Sequence, residues 1–136
     1  MPSSVIPSFR YSDAPRMIDF LCDAFGFERH LVVPDGEGGI AHAQLALGDG
    51  MIMLGSARDD DFGALVVTAE AAGALTSPPY VIVPDVDAHC AHARAAGAEI
   101  VMEPADQDYG GRLYAARDPE GQLWNFGSYD PWAAPE

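Results

Sequence analysis

The chain has 136 residues, 49% of them apolar, which suits one domain or two small halves sharing a core. Its seven basic residues, all arginine, face 21 acidic ones; the net charge of −14 makes nucleic acid and anionic membrane poor partners and suits a neutral or cationic ligand, or simply a soluble surface. No run of about 18 apolar residues and no basic-then-apolar leader occurs, and the only cysteines are Cys22 and Cys90, so the expectation is a cytoplasmic protein with free thiols.

Val5 to Tyr11 alternates as a first strand, with Pro7 implying an edge or strand end because it donates no ladder bond. Asp13 is a helix N-cap, and Pro15 suits the first turn. Met17, Ile18, Leu21 and Phe25 recur at helical spacing, and Gly26 closes the helix. Strands follow at 27–33, 40–47 and 51–54, separated by turns at 34–39 and 48–50. On the second of these, His42 and Gln44 share one face, and Ala41, Ala43, Leu45 and Leu47 share the other. Residues 57–79, with Asp59-Asp60-Asp61 and Ser77-Pro78-Pro79, read as a connector with little regular structure.

The rhythm then restarts. A strand at 80–83 leads to a helix capped by Asp85 or Asp87 and closed by Gly97. Strands follow at 99–103, 113–117 and 122–126, with a loop at 106–111 and the turn Asp118-Pro119-Glu120-Gly121 between the last two. An offset of 71 pairs Gly26 with Gly97, Gly39 with Gly110, Gly50 with Gly121 and Pro7 with Pro78. This is an internal duplication: a first module at 1–56, a connector at 57–79 and a second module at 80–132, in one structural domain. The expected fold is α+β, with two tandem βαβββ modules forming a curved mixed sheet, a half-barrel, and helices on its convex side. Function is then expected on the concave face.

Met17-Ile18-Asp19-Phe20 through Phe25-Gly26-Phe27 carry a resemblance in the first half, as do Pro84-Asp85-Val86-Asp87, Ala96-Gly97-Ala98-Glu99, and Asp118-Pro119-Glu120-Gly121 with Trp124-Asn125-Phe126 in the second. Over nearly its whole length the chain resembles the vicinal oxygen chelate superfamily, also called glyoxalase/bleomycin-resistance/extradiol-dioxygenase, and most of all its small bacterial PhnB-like branch. The resemblance implies paired βαβββ modules and, in metal-dependent members, a divalent metal held by His and Glu on the first and last strands of each module. Carried over, those positions are Ile6 or Pro7, Pro78 or Pro79, Met53 or Leu54, and Asn125. None is a histidine or a carboxylate, and one amide oxygen does not make a site, so no cofactor is expected. His89, Cys90 and His92 read as a partly exposed helix surface with Cys90 turned inward, and His30 as solvent-facing.

Asn125 marks the concave face of the last strand, with Leu123 and Gly127 beside it and Trp124 and Phe126 turned to the helices. The offset gives Ile52, Leu54 and Ser56 as their mates. His42 and Gln44 are expected in the cavity, opposite Leu113, Ala115 and Arg117. Phe9 and Tyr11 join from the first strand, with Tyr80 and Ile82 as mates. Tyr109 and Arg112 could close the mouth, although for Arg112 an ion pair with Asp106 or Asp108 is the plainer reading. His42 is the only candidate general base, and no nucleophile or second acid stands beside it.

The leading expectation is a metal-independent protein that binds a small, cationic or aromatic molecule in the concavity, as the sequestering drug-resistance members do, and forms a homodimer. Alternatives are a glyoxalase-type lyase or isomerase with an atypical metal site, and a regulatory or partner-binding module with a vestigial cavity.

Overall fold

The computed structural model describes residues 4–75 and 77–133; the stretches 1–3 and 134–136 and Thr76 lie outside it, although the first falls within the module, and Thr76 within the connector, read from the sequence. The chain forms β1 (Ser8–Tyr11), α1 (Ala14–Phe20), a π-helical turn continuing α1 (Leu21–Phe25), β2 (Glu28–Pro34), β3 (Ile40–Leu47) and β4 (Gly50–Ser56). After the connector come β5 (Tyr80–Ile82), α3 (Val86–Ala95), β6 (Glu99–Asp106), β7 (Arg112–Arg117) and β8 (Leu123–Gly127). The connector holds one short helical turn of its own, α2 (Ala69–Ala72), because Thr68 accepts from the Ala71 amide and caps it.

The sheets have the same order, β1-β4-β3-β2 and β5-β8-β7-β6, with each first strand parallel to the last strand of its module. The α+β architecture of paired βαβββ units is therefore the one read from the sequence. The expected single curved sheet is not formed: β1 and β5 are each paired on one side only, so two separate four-stranded sheets result. Helices α1 and α3 lie between them, and the core fills the space around the helices.

The two copies differ in two places. Asp13 and Asp85 cap α1 and α3 in the same way, each accepting from the amide three residues on, so the N-caps are 72 apart. Both helices end at a glycine with positive φ, Gly26 at 91° and Gly97 at 103°, but these are 71 apart. The extra residue in the first copy is absorbed by the π-helical turn, which closes with Phe27 N donating to Leu21 O at 3.3 Å. A second difference restores the 72. The β3–β4 hairpin pairs Leu47 with Gly50 across two residues, whereas β7–β8 pairs Arg117 with Leu123 across five. First and last strands are thus offset by 72 and middle strands by 71.

The longer turn joins the modules. Asp118, 4% exposed, accepts from Tyr11 Oη at 2.6 Å, Trp124 Nε1 at 3.2 Å, and the amides of Glu120 and Gln122 at 3.0 and 3.1 Å. Burial raises its pKa above the usual carboxylate value, and those four donors oppose the rise. Glu120 accepts from the amides of Ser12 and Asp13, at 2.6 and 2.7 Å, across the start of α1. Below this latch, the fully buried Trp124 is packed by Phe9, Phe25 and Phe27 at centroid distances of 5.2, 5.6 and 5.6 Å.

Asp118→Ala leaves two side-chain and two main-chain donors without their acceptor. Urea unfolding should show a loss of about 3–5 kcal/mol. Glu120→Ala, whose partners can be rehydrated, should lose about 1–2 kcal/mol. Equal losses from the two would remove Asp118 as the centre of the latch.

Candidate functional site

Strand alternation sorts the predicted residues between two surfaces. His42 and Gln44 on β3 lie opposite the core-facing Ala43 and Leu45, and their side chains meet at 3.1 Å between Nε2 atoms. Their β4 neighbours on that face are Met51 and Met53, and Leu31 and Val33 extend it on β2. In the second module Tyr80 pairs with Asn125, Ala115 with Asn125, and Leu113 with Gly127, which makes a second face with Met102 and Ile82. Tyr80 lies across Gly127, where an added Cβ would stand 2.6 Å from its Oη, and that hydroxyl donates to Tyr129 O at 2.6 Å. His42, Gln44, Tyr80, Leu113 and Asn125 thus sit on helix-free faces.

Phe9, Tyr11 and Leu54 do not. Tyr11 and Leu54 are 2% and 1% exposed, and Phe9 packs on the core. Their misplacement follows from the repeat: the offset of 71 pairs Leu54 with Asn125, but the sheets pair Phe9 with Leu54 and Val81 with Phe126, an offset of 72. One residue of slip sends a strand residue to the opposite face. Ile52, read as another cavity residue, is buried in the core for the same reason. Tyr109 packs edge-on against Tyr129 at 5.2 Å. Arg112 is held by Asp106 at 3.0 Å and Asp87 at 3.1 Å, an ion-paired strut at the start of α3 rather than a lid.

The connector contributes what the sequence reading passed over. Phe62 lies between two guanidinium groups, Arg10 at 5.0 Å and Arg58 at 5.2 Å from its ring centroid. Arg10 lies over Gly55, where a Cβ would stand 2.2 Å from Nη1. The face of the first module therefore ends in two arginines stacked on Phe62, of which Arg58 is paired with Asp60 at 2.9 Å; burial together with Arg58 lowers the Arg10 pKa, and Asp60 opposes the shift.

The second surface is a cleft between the modules, a cavity of about 850 Å³. Phe25, Phe27 and Ile52 form one side, Val81 and Val83 the other, and His89 the end. The sequence places His89 on a partly exposed helix surface, and the structure turns it into the cleft. It is half-buried and joins the modules: Nε2–H donates to Phe25 O at 2.8 Å, and Nδ1 accepts from Tyr114 Oη at 2.6 Å. Its ring stacks on Phe25, with centroids 6.3 Å apart, and meets Phe126 at 4.5 Å. Burial lowers the imidazole pKa, with the Phe25 carbonyl opposing, and burial pushes the Tyr114 hydroxyl up. His92 adds a second link through Nε2–H to Asp23 O at 2.7 Å, while Cys90 is buried and Cys22 half-buried, both as free thiols. No sequence signal separated His89 from an ordinary exposed helical histidine, because its partners lie 25 and 64 residues away.

The first- and last-strand positions that face each other on the helix-free faces are Ser8 with Met53 and Tyr80 with Asn125, which offer no imidazole or carboxylate. Among the described residues no group of three or more His, Cys, Asp and Glu side chains could hold a metal ion.

A family model described as the Glyoxalase/Bleomycin resistance protein/Dioxygenase superfamily matches residues 7–126. An uncharacterised protein of Mycobacterium tuberculosis is 31% identical over 121 residues, 89% of this chain and 71% of its own length. The crystal structure of TioX from Micromonospora sp. ML1 is similar at 34% identity and a TM-score of 0.69, covering 93% of this chain and 98% of TioX. Glyoxalase I from Zea mays shares the fold at a TM-score of 0.66 and 18% identity, over 90% of this chain and 43% of the maize chain.

The His89 bridge makes stability depend on pH. Its folded pKa is depressed, so the stabilisation is fully present above the ordinary imidazole value of about 6.5 and is lost as pH falls toward the folded value. The unfolding free-energy difference between wild type and His89→Gln should stay constant from about pH 7 to 8 and shrink steadily below about 6.5. A difference that holds its size at about pH 5 would show that this histidine is not a neutral bridge.

Proposed function

This chain belongs to the glyoxalase/bleomycin resistance protein/dioxygenase superfamily, and on that premise we propose that it binds a small, largely apolar molecule on the helix-free sheet faces without a metal. The observation that carries this reading is the make-up of those faces. Met51, Met53, Leu113 and Met102 supply apolar contact, while His42, Gln44 and Asn125 supply a few polar groups to orient a ligand. Such surfaces suit a planar or polycyclic body more than a compact charged one, and Arg10 at the edge of the first face disfavours a cation there.

One chain leaves both faces open. A homodimer that sets the first module of one chain against the second module of its partner would enclose the ligand between them, and we take this as the assembled form. The second-half motifs, Ala96-Gly97-Ala98-Glu99 and Asp118-Pro119-Glu120-Gly121 with Trp124-Asn125-Phe126, support placement beside the small bacterial PhnB-like proteins, acting in the cytoplasm.

A thermal-shift panel of phenazines and planar aromatic antibiotics, run beside methylglyoxal–glutathione turnover, tests the reading. At least one compound should raise the melting temperature of wild type, and the shift should be lost in Met53→Asp, which places a charge on the apolar face. Glutathione-dependent turnover should stay at background with and without added Ni²⁺ or Zn²⁺. Metal-dependent turnover abolished by His42→Ala would instead establish an enzyme, and a panel with no shift would remove the binding reading.

A further inference from the structure

The cleft between the modules stands where the other half of the molecule has its latch. Tyr11, Trp124 and Asp118 correspond to Val83, Ile52 and Leu47, by the pairing of Phe9 with Leu54 and Val81 with Phe126 and of Leu45 with Ile52 and Ala116 with Trp124. The three polar or large latch residues are thus small or aliphatic in the twin position. The two-residue turn Gly48-Asp49 also stops short of the start of α3, whereas Glu120 reaches the start of α1. A half-open cleft of about 850 Å³ lies at this point.

Its charge is one-sided. The charged side chains that line it are Asp49, Asp85 and Asp130, and none of the chain's seven arginines does so. Asp85 directs one oxygen to the Ala88 amide as N-cap of α3, which leaves the other oxygen available. His89 brings no opposing charge, because its Nε2–H is committed to the Phe25 carbonyl and its Nδ1 to the Tyr114 hydroxyl. Phe25 and Phe27, 1% and 5% exposed, form an apolar floor beneath these carboxylates.

We propose that the inter-module cleft, which meets the helix-free sheet faces at Met51, Tyr80 and Ile82, is a second binding site that takes a lipophilic cation: an apolar or aromatic body seated over Phe27, Leu47 and Ile52, with its positive charge toward Asp49, Asp85 and Asp130. This site goes beyond the sheet-face reading and does not depend on it. The molecule therefore divides two chemistries, with arginines at the edge of the first sheet face and carboxylates around the cleft.

Isothermal titration with tetraphenylphosphonium and tetraphenylborate, near-identical in shape and opposite in charge, tests the proposal. Wild type should bind the phosphonium at least tenfold more tightly than the borate. The double variant Asp49→Asn/Asp85→Asn should lose about tenfold in phosphonium affinity; asparagine at position 85 still caps α3. The pair Asp59→Asn/Asp61→Asn, which changes net charge equally but lies in the exposed connector, should not. Ala88→Trp, which fills the cleft from its exposed edge, should abolish binding while the far-ultraviolet circular dichroism stays that of wild type. Met53→Asp should leave phosphonium binding intact, which separates this site from the sheet faces. Equal affinity for both ions, equal losses from both neutralised pairs, binding that survives in Ala88→Trp, or no phosphonium binding by wild type at about 1 mM would each overturn the proposal.

Discussion

The fold depends on one carboxylate. Asp118 gathers the hydroxyl of Tyr11, the indole of Trp124 and two amides of its own turn, and so closes the second module onto the first strand of the first. Each module alone would leave a helix-packed face open. The latch and the aromatic cluster beneath it turn two such faces into one core, in which Trp124 and Phe126 are fully buried. Neutral donors satisfy the carboxylate, so it is buried without an arginine partner, in a chain that has few arginines to spare.

Because the latch is made once, the duplication is structurally complete but chemically lopsided. On the second side, two other devices hold the modules together. The imidazoles of His89 and His92 reach from α3 to the carbonyls of Phe25 and Asp23, which lie in the π-helical turn. A π turn leaves some carbonyls without their usual intrahelical amides and so exposes acceptors to a neighbouring helix. The extra residue in the first helix is therefore bound up with the inter-module contact: it offers acceptors where the twin helix, one residue shorter, supplies the imidazole donors.

Much of this architecture was legible in the chain. Asp13 and Asp85 before apolar helical spacing, glycine after it, and alternation in Ile40–Leu47 rest on local rules, and the structure follows them. The site was less legible, because a single offset cannot describe a repeat with two compensating insertions. At 71 the glycines align, but β1 and β4 slip by one residue, and this placed Phe9, Tyr11 and Leu54 on the wrong face. His42 and Gln44 were placed from their own strand's alternation and Asn125 from the family resemblance, and none of the three suffered the slip. The roles of His89 and Phe62 rest on contacts across the modules or along the connector, for which the local pattern carries no signal.

Charge placement then separates what the net charge alone merges. A charge of −14 suggests that any cation would be welcome anywhere, yet Arg10 and Arg58 both flank Phe62 at the edge of the first sheet face. Arg58 is paired with Asp60 at 2.9 Å, so Arg10 is the cation that acts at this edge, and exposed charges beyond roughly 8–10 Å are largely screened at physiological salt. The sheet faces thus suit neutral aromatic bodies, while the cleft, lined by carboxylates and no arginine, is the place where the acidic bias acts locally. The two halves differ at the same three positions: one side has the Tyr11–Trp124–Asp118 latch, and the other has Val83, Ile52 and Leu47 beside a cleft edged by Asp49, Asp85 and Asp130.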